Sequence, residues 1–270
     1  MFLDVNGVST YVEETGSGHP VILVHAMGTS LRSWEPVVPY LAPRFRVICY
    51  DYRGHGRSET TAGVPSVRAL AEDLRAILRA MSVERAHVIG LAVGGMIAQQ
   101  LAVDHPGLAT ALVLADTVSA IGRQAAEYNE QRAQAVEQYG MRAMADATIE
   151  RAFAPGFSSG HPERMAAFRG EFLATDPHGY AWISRALSGF DVTDRLAQVR
   201  CPALLLVGES DRLCPPSAAA AIQARIPGAT LEILPGVGHF SAVEGPDLFA
   251  ARTLAFLDGI SPVPSAGRRK

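Results

Sequence analysis

The sequence predicts an α/β protein with a doubly wound, mostly parallel β-sheet and a helical insertion. Three observations predict this fold class. Continuous apolar runs with β-branched residues recur along the chain, a pattern typical of strands that are buried on both faces. Helical patterns alternate with these runs, as in βαβ units. One stretch, roughly 70 residues long, then contains helical patterns and no strand-like run, and it is too long to be a loop.

The individual elements follow from local patterns. Residues 2–5 and 8–13 predict a β-hairpin around Asn6-Gly7, since both turn residues tolerate positive φ. Helices are expected at 67–81, where Ser66 can cap the first turn, and at 94–103, 217–226 and 246–257. An all-helical protein would leave the β-branched runs unexplained. The buried strands are expected at residues 21–24, 47–50, 87–89, 112–114, 204–207 and 231–234.

The insertion divides the chain into segments. We expect a core formed by residues 1–117 and 191–258, a helical cap at 118–190, and a mobile tail at 259–270 that is rich in Pro, Gly and basic residues. The helical patterns of the cap cover 124–139, 141–153, 162–174 and 178–187. Its aromatic residues could bury apolar area against the core or against a ligand. Pocket candidates are Trp182, Phe153, Phe157, Phe240 and Met27.

Composition argues against several partners. Hydrophobic residues make up 48% of the chain, charged residues 19%, and the formal net charge is −3, which gives no electrostatic reason to expect nucleic acid or an anionic membrane. The N-terminus does not resemble a signal peptide, and no run approaches the roughly 20 apolar residues of a membrane helix. Cys49 and Cys201 are expected to be inert buried thiols, whereas Cys214 could line a pocket. Three cysteines without a CxxC pair fit a cytoplasmic location best.

The central chemical motif is a strand followed by a sharp turn and a helix. The segment Gly90-Leu91-Ala92-Val93-Gly94 matches a G-x-S-x-G pattern except at its centre. That pattern presents a nucleophile on a strained turn, so the residues two positions before and after it must be small. Gly90 and Gly94 meet this demand. The nucleophile position holds Ala92, whose methyl group cannot attack a substrate.

An acid and a histidine follow this turn, in the chain order nucleophile position, acid, histidine that is typical of doubly wound sheets with such a turn. Asp211 lies in the loop after the run at 204–207, and His239 lies in a glycine-rich loop after 231–234. A carboxylate can orient an imidazole, which then takes and returns a proton. Asp116 is a rival acid, Asp211 could be only a turn former, and a lone loop histidine is usually just solvated. The shared order favours the paired role for Asp211 and His239.

Backbone groups complete the constellation. The sequence His25-Ala26-Met27-Gly28 follows the first buried strand, so the N–H groups of Met27 and Val93 would face an oxyanion formed at the turn. The loop at 51–58, Asp-Tyr-Arg-Gly-His-Gly-Arg-Ser, is expected to be structural, and Arg53 and His55 are assigned no catalytic part. No metal-ligand cluster or phosphate-binding loop is recognisable, so neither a metal nor a cofactor is expected.

These motifs resemble the 3-oxoadipate enol-lactonase-like branch of the α/β-hydrolase superfamily. The resemblance extends from the Asn6-Gly7 hairpin to Leu257 and includes cap segments around Asn129-Glu130-Gln131-Arg132 and Gly179-Tyr180-Ala181. That family hydrolyses small lactones and esters without a cofactor, by acyl transfer through a serine. The resemblance therefore implies a small carbonyl compound as the substrate.

Three explanations account for Ala92. A serine could have been replaced by design, which would make this an inactive variant of a lactonase or esterase. The alanine could instead be native, with His239, Asp211 and the oxyanion hole serving proton transfer, cyclisation, C–C bond formation or direct water activation. The third explanation is a binding or scaffold protein without catalysis. Removing a triad serine costs about 10⁶ in turnover, so this form should be a very poor esterase.

Overall fold

A single eight-stranded sheet forms the centre of the computed structural model, which describes residues 1–60 and 63–260. The strand order is β1-β2-β4-β3-β5-β6-β7-β8, with β1 and β2 antiparallel and β3 to β8 parallel. The predicted fold class is confirmed. The expected mobile tail lies, from residue 261 onward, outside the described residues. The strands are β1 (Phe2–Val5), β2 (Val8–Thr15), β3 (His19–Val24), β4 (Phe45–Tyr50), β5 (Ala86–Leu91), β6 (Ala109–Ala115), β7 (Ala203–Gly208) and β8 (Thr230–Leu234).

Helices cover both faces of the sheet. The hydroxyl oxygen of Ser66 accepts a hydrogen bond from the N–H of Ala69, the cap expected for α2. The short helices α1, α6 and α10 were not predicted, because four residues leave no periodic pattern. The described helices are α1 (Val38–Leu41), α2 (Val67–Ala80), α3 (Val93–Asp104), α4 (Arg123–Tyr139), α5 (Arg142–Ala152), α6 (Phe157–Gly160), α7 (Pro162–Ala174), α8 (Pro177–Ala186), α9 (Pro216–Gln223), α10 (Ser241–Glu244) and α11 (Pro246–Asp258), with 3-10 turns at Leu31–Trp34 and Thr193–Gln198.

The sheet separates two apolar cores. Alternate residues of each parallel strand point to opposite faces, so Ile22 and Val24 of β3 join one core while Val21 and Leu23 join the other. Helices α2 and α3 cover the first core, and α11 together with much of the cap covers the second. The strand β8 departs from the expected two-sided burial. It is an edge strand, and its Ile233 is 51% exposed.

Five helices, α4 to α8, lie between β6 and β7, within the segment expected to form the cap. Helix α4 packs against α8, and Phe153, Phe168 and Phe172 are buried with the core residues beneath them. None of the helices in the described parts of the chain has both the length and the hydropathy that a membrane crossing would need.

The strand order fixes where a site can form. Strand β3 pairs with β4 on one side and with β5 on the other. The strand order therefore reverses at β3, which makes it the topological switch point of the sheet. In open α/β sheets the crevice for a ligand opens at the carboxyl ends of the strands at such a point. The loop after β3 contains Met27, and the turn after β5 contains Ala92. The topology therefore brings these two segments together.

Close packing at this point generates a stability prediction. A Cβ atom added to Gly94 would lie 2.0 Å from the carbonyl oxygen of Val24, a backbone atom that cannot move aside. We expect Gly94→Ala to lower the free energy of unfolding by about 3 kcal/mol or more, measured by urea denaturation. Gly170 of α7 has no atom within 4 Å of its added Cβ, so Gly170→Ala is the control and should be neutral or slightly stabilising. Equal effects of the two substitutions would contradict this account.

Candidate active site

The turn at Ala92 has an unusual backbone conformation. Ala92 has φ 53° and ψ −110°, a conformation that L-residues rarely adopt. The turn is held by the Ala92 N–H, which donates to Ala115 O at 2.9 Å, and by the Thr117 hydroxyl, which donates to Ala92 O at 2.7 Å. A Cβ on Gly90 would lie 2.2 Å from Gly94 O, so both glycines are required by close approach. The strained turn expected from the sequence is therefore present, with a methyl group at its tip.

Asp211 and His239 meet beside the sheet, although they are 28 residues apart. The Nδ1 of His239 donates to Asp211 Oδ2 at 2.9 Å, and the N–H groups of Leu213 and Cys214 donate to Asp211 Oδ1 at 2.8 and 2.9 Å. Burial opposes the charged imidazolium, but the charge and hydrogen bond of Asp211 outweigh it and hold the pKa of His239 well above its ordinary value. The imidazole is therefore oriented, and its protonated form is favoured.

Asp116, the rival acid, occupies a different place. It follows β6, and its Oδ1 accepts from Gly208 N at 2.9 Å while its Oδ2 accepts from the Ser241 hydroxyl. Burial and the nearby Asp211 carboxylate raise its pKa to about 8, against the attraction of His239. The neutral form of Asp116 is therefore favoured, and its hydrogen bonds hold the acid and histidine loops together. It is Asp211 that contacts the imidazole.

The loop that carries Met27 is held in place by hydrogen bonds to the segment that follows β4. His55 Nε2 accepts from Gly28 N at 3.0 Å, and Asp51 Oδ1 accepts from Leu31 N at 2.7 Å. Burial lowers the pKa of His55 well below its ordinary value, so its ring is a neutral acceptor. Arg53 instead forms an ion pair with Asp73, at 2.6 Å. These contacts are structural ones.

The two N–H groups expected to form an oxyanion hole are available. Within the described parts of the chain, the backbone N–H groups of Met27 and Val93 donate to no protein acceptor. Val93 is the first residue of α3, where helical N–H groups have no partner within the helix and favour negative charge. That one oxygen can bind to both donors stays a prediction.

The four aromatic pocket candidates divide into two groups. The ring centroid of Phe153 lies 5.2 Å from that of Phe157 and 5.3 Å from that of Phe240. The ring centroid of Phe240 in turn lies 5.2 Å from that of His239. Trp182 lies elsewhere. Its Nε1 donates to Gly63 O at 3.3 Å, and its ring lies against the Arg53 guanidinium. The first three thus form one aromatic cluster that reaches the imidazole through Phe240, and a pocket role stays a prediction for all four residues.

The segment expected to form the cap is hydrogen-bonded directly to the histidine loop, a feature that the sequence did not indicate. The N–H of His239 donates to Ala152 O at 2.6 Å. The buried Glu244 carboxylate accepts from Ala154 N at 2.9 Å and from Phe240 N at 3.3 Å. The position of the imidazole therefore depends on the end of α5 as well as on the sheet.

Cys214 approaches the pair as well. The possible ligand atoms of Asp211, Cys214 and His239 lie within 4.8 Å of one another, a grouping that no sequence spacing indicated. Burial raises the pKa of the Cys214 thiol. A cleft of about 660 Å³ opens further away, between α7 and the loops near Ser30 and Arg57, and none of these three residues lines it.

A parallel sheet with a strained turn after β5, an acid after β7 and a histidine after β8 defines the α/β-hydrolase architecture. A family model described as "alpha/beta hydrolase fold" matches residues 19–246. The chain therefore belongs to the α/β-hydrolase family.

Individual relatives support the expected branch. The chain is 31% identical over 229 residues to 3-oxoadipate enol-lactonase 2 of Acinetobacter baylyi, covering 85% of each protein. It is 33% identical over 242 residues to a Caulobacter sp. (strain K31) protein provisionally named carbamate hydrolase RutD, covering 88% of this chain and 90% of that protein. The enol-lactonase of Burkholderia xenovorans LB400 superposes with a TM-score of 0.92 at 30% identity, over 96% of this chain and all of that one. The resemblance to the enol-lactonase-like branch is confirmed.

The strain at Ala92 predicts the effect of removing its methyl group. A non-glycine residue in such a conformation costs about 1–3 kcal/mol, whereas the entropic cost of glycine is about 0.5–1 kcal/mol. Ala92→Gly should therefore raise the free energy of unfolding by about 1 kcal/mol. Ala98→Gly, within α3, is the control and should lower it by about 1 kcal/mol or more. If urea denaturation finds both variants equally destabilised, the turn is not strained.

The buried acid Asp116 predicts how stability depends on pH. Its pKa of about 8 in the folded protein exceeds its ordinary value of 3.8, so its stabilising contribution is complete below that lower value and is lost as the pH rises through 8. Asp116→Asn mimics the neutral acid, and its unfolding free energy should fall less between pH 5 and pH 9 than that of the parent. Asp194→Asn, whose side chain is 99% exposed, should behave like the parent. Identical slopes for all three proteins would refute a protonated Asp116.

Proposed function

We propose that this chain is the alanine form of a cofactor-independent hydrolase that acts on a small lactone or ester. In the serine form, the hydroxyl at position 92 would attack the substrate carbonyl, and His239 would take the hydroxyl proton. Asp211 would orient the imidazole, and the N–H groups of Met27 and Val93 would bind the oxyanion. Phe153, Phe157, Phe240 and Trp182 are proposed as pocket residues.

The observation that carries this proposal is the conformation of Ala92. A backbone at φ 53° and ψ −110° costs about 1–3 kcal/mol, and Ala92 gains no capping hydrogen bond from its side chain in return. Such a turn is useful when the residue at its tip carries a reactive group. The names of the relatives support the substrate class, since enol-lactonases and carbamate hydrolases cleave bonds next to a carbonyl carbon.

A second candidate function is favoured by the raised pKa of His239. If alanine is the native residue, the imidazolium could donate a proton to a carbonyl oxygen bound at the Met27 and Val93 N–H groups. After losing its proton, the same imidazole could remove a proton from the neighbouring carbon. Such acid–base chemistry would serve proton transfer, cyclisation or C–C bond formation. A non-catalytic binding protein is the third candidate, and it gives no use to the Asp211–His239 pair.

The test is Ala92→Ser. We expect kcat/KM for p-nitrophenyl acetate to rise by about 10⁴-fold or more, and an organophosphonate to label residue 92. Activity should increase with pH through the raised pKa of His239, because only the neutral imidazole accepts the serine proton. The double variant Ala92→Ser with His239→Ala is the control and should lose most of the gain. A folded Ala92→Ser protein that is neither labelled nor active would count against a parent hydrolase.

The acid–base alternative gives a different pattern in the same proteins. The Ala92 protein would then exchange the α-protons of γ-butyrolactone with deuterated solvent, as followed by NMR, and His239→Ala would abolish the exchange. Ala92→Ser would add little. If neither variant changes any reaction, the binding-protein candidate is left.

A further inference from the structure

Three different metal-binding side chains meet in the loops that follow β7 and β8. The ligand atoms of Asp211, Cys214 and His239 lie within 4.8 Å of one another, and all three residues are buried. In the parts of the chain that the structure describes, no other three His, Cys, Asp or Glu side chains come together in this way. The proposed hydrolysis uses the acid and the histidine but not the thiol. The cluster therefore offers a ligand set that hydrolysis leaves partly unused.

The loop after β7 turns the thiol back towards the acid. Asp211 Oδ1 accepts hydrogen bonds from the N–H groups of Leu213 and Cys214, at 2.8 and 2.9 Å, so the chain bends around the carboxylate. Pro216 then begins α9 and fixes the direction of the chain after the bend. The second oxygen, Oδ2, faces His239 Nδ1 at 2.9 Å. One oxygen thus holds the loop, and the other can share a ligand with the imidazole and the thiol.

The three ligand types match one class of metal ion. Thiolate sulfur, imidazole nitrogen and carboxylate oxygen are the ligands of Zn²⁺ in proteins, and tetrahedral zinc holds them about 3.5 Å apart. The atoms here already lie within 4.8 Å, so shifts on the order of 1 Å would bring all three into contact with one ion. Mg²⁺ demands oxygen ligands, and a thiol does not suit it. The cluster therefore favours a soft or borderline divalent cation.

The charges of the cluster also fit a dication. The raised pKa of His239, which the Asp211 charge and hydrogen bond cause against burial, favours an imidazolium beside a carboxylate, a neutral pair. A dication would replace the proton between Nδ1 and Asp211 and the proton of Cys214, and both protons would pass to solvent. The bound set, a dication with a carboxylate and a thiolate, is again neutral, whereas uncompensated buried charge is very unfavourable. Burial raises the pKa of the thiol, a cost that the metal–sulfur bond has to offset.

We propose that Asp211, Cys214 and His239 form a binding site for Zn²⁺ that switches the Asp211–His239 pair off. With the ion on Nδ1, the remaining ring hydrogen stays on Nε2, so His239 cannot take a proton from a hydroxyl at position 92. Zinc bound here inhibits a hydrolase and takes no part in its reaction. Binding of the ion is independent of the proposed function, and only the inhibition rests on it.

Calorimetric titration of the Ala92 protein with zinc chloride tests the site. We expect a single tight site and the release of about two protons per ion, measured from the heats in buffers of different ionisation enthalpy. Cys214→Ser should lower the affinity about 100-fold or more, since losing a mere supporting contact already costs about 10–100-fold. The matched control is Cys201→Ser, which removes a partly buried thiol elsewhere and should leave the affinity unchanged. Magnesium chloride should bind far more weakly.

Cobalt(II) chloride gives a second readout that does not involve activity. A cobalt–thiolate bond adds a charge-transfer absorption band, which Cys201→Ser should keep and Cys214→Ser should lose. Equal zinc affinities of Cys214→Ser and the parent, or binding without proton release, overturn the inference. Should Cys214→Ser fail to fold, the cobalt band of Cys201→Ser decides in its place, and its absence refutes the site.

Failure of the proposed function would look different. In Ala92→Ser, zinc should abolish the hydrolysis of p-nitrophenyl acetate and a chelator should restore it. If this variant is equally active with and without saturating zinc, the hydrolase proposal stands and the switch is refuted. If Ala92→Ser is inactive while zinc binding to the Ala92 protein still depends on Cys214, the metal site stands and the hydrolase proposal fails.

Discussion

The sharp turn between β5 and α3 is the constraint on which the rest of the site depends. The turn can form only because Gly94 lets the helix start against the carbonyl oxygen of Val24, at a distance that excludes any side chain. This contact joins the central strand β3 to α3 and fixes the residue at the tip relative to the loop after β3. The strain at Ala92 is the local cost of that geometry.

Charge at the site is controlled by burial. Asp116 and Asp211 both lie near His239, and two adjacent carboxylates cannot both be ionised cheaply in a dry environment. The neutral Asp116 leaves a single negative charge to act on the imidazole. One of its oxygens accepts a hydrogen bond from Gly208 and the other from Ser241, and together these bonds hold two loops at a fixed spacing. One residue therefore serves both packing and electrostatics.

The sequence predicts those features that depend on a few neighbouring residues or on the order of the elements along the chain. Continuous apolar runs predicted β3 to β7 because both faces of those strands are covered, and glycine spacing predicted the turn at Ala92 because only small residues fit there. Chain order was enough to pair Asp211 with His239. What spacing does not encode is side-chain direction within the cap. For that reason the sequence does not distinguish Trp182 from Phe153, although the two rings face different parts of the protein.

The fastening of Ala152 and Ala154 to the histidine loop limits how this protein can change over evolutionary time. An insertion or deletion at the end of α5 would shift His239 together with the pocket wall, so a change of specificity made there would also impair the reaction. Among the described residues, helix α4 makes no such bond to the histidine loop, so its side chains can be exchanged without moving His239. Selection for new substrates would therefore act first on α4, and the α5 junction would diverge slowly.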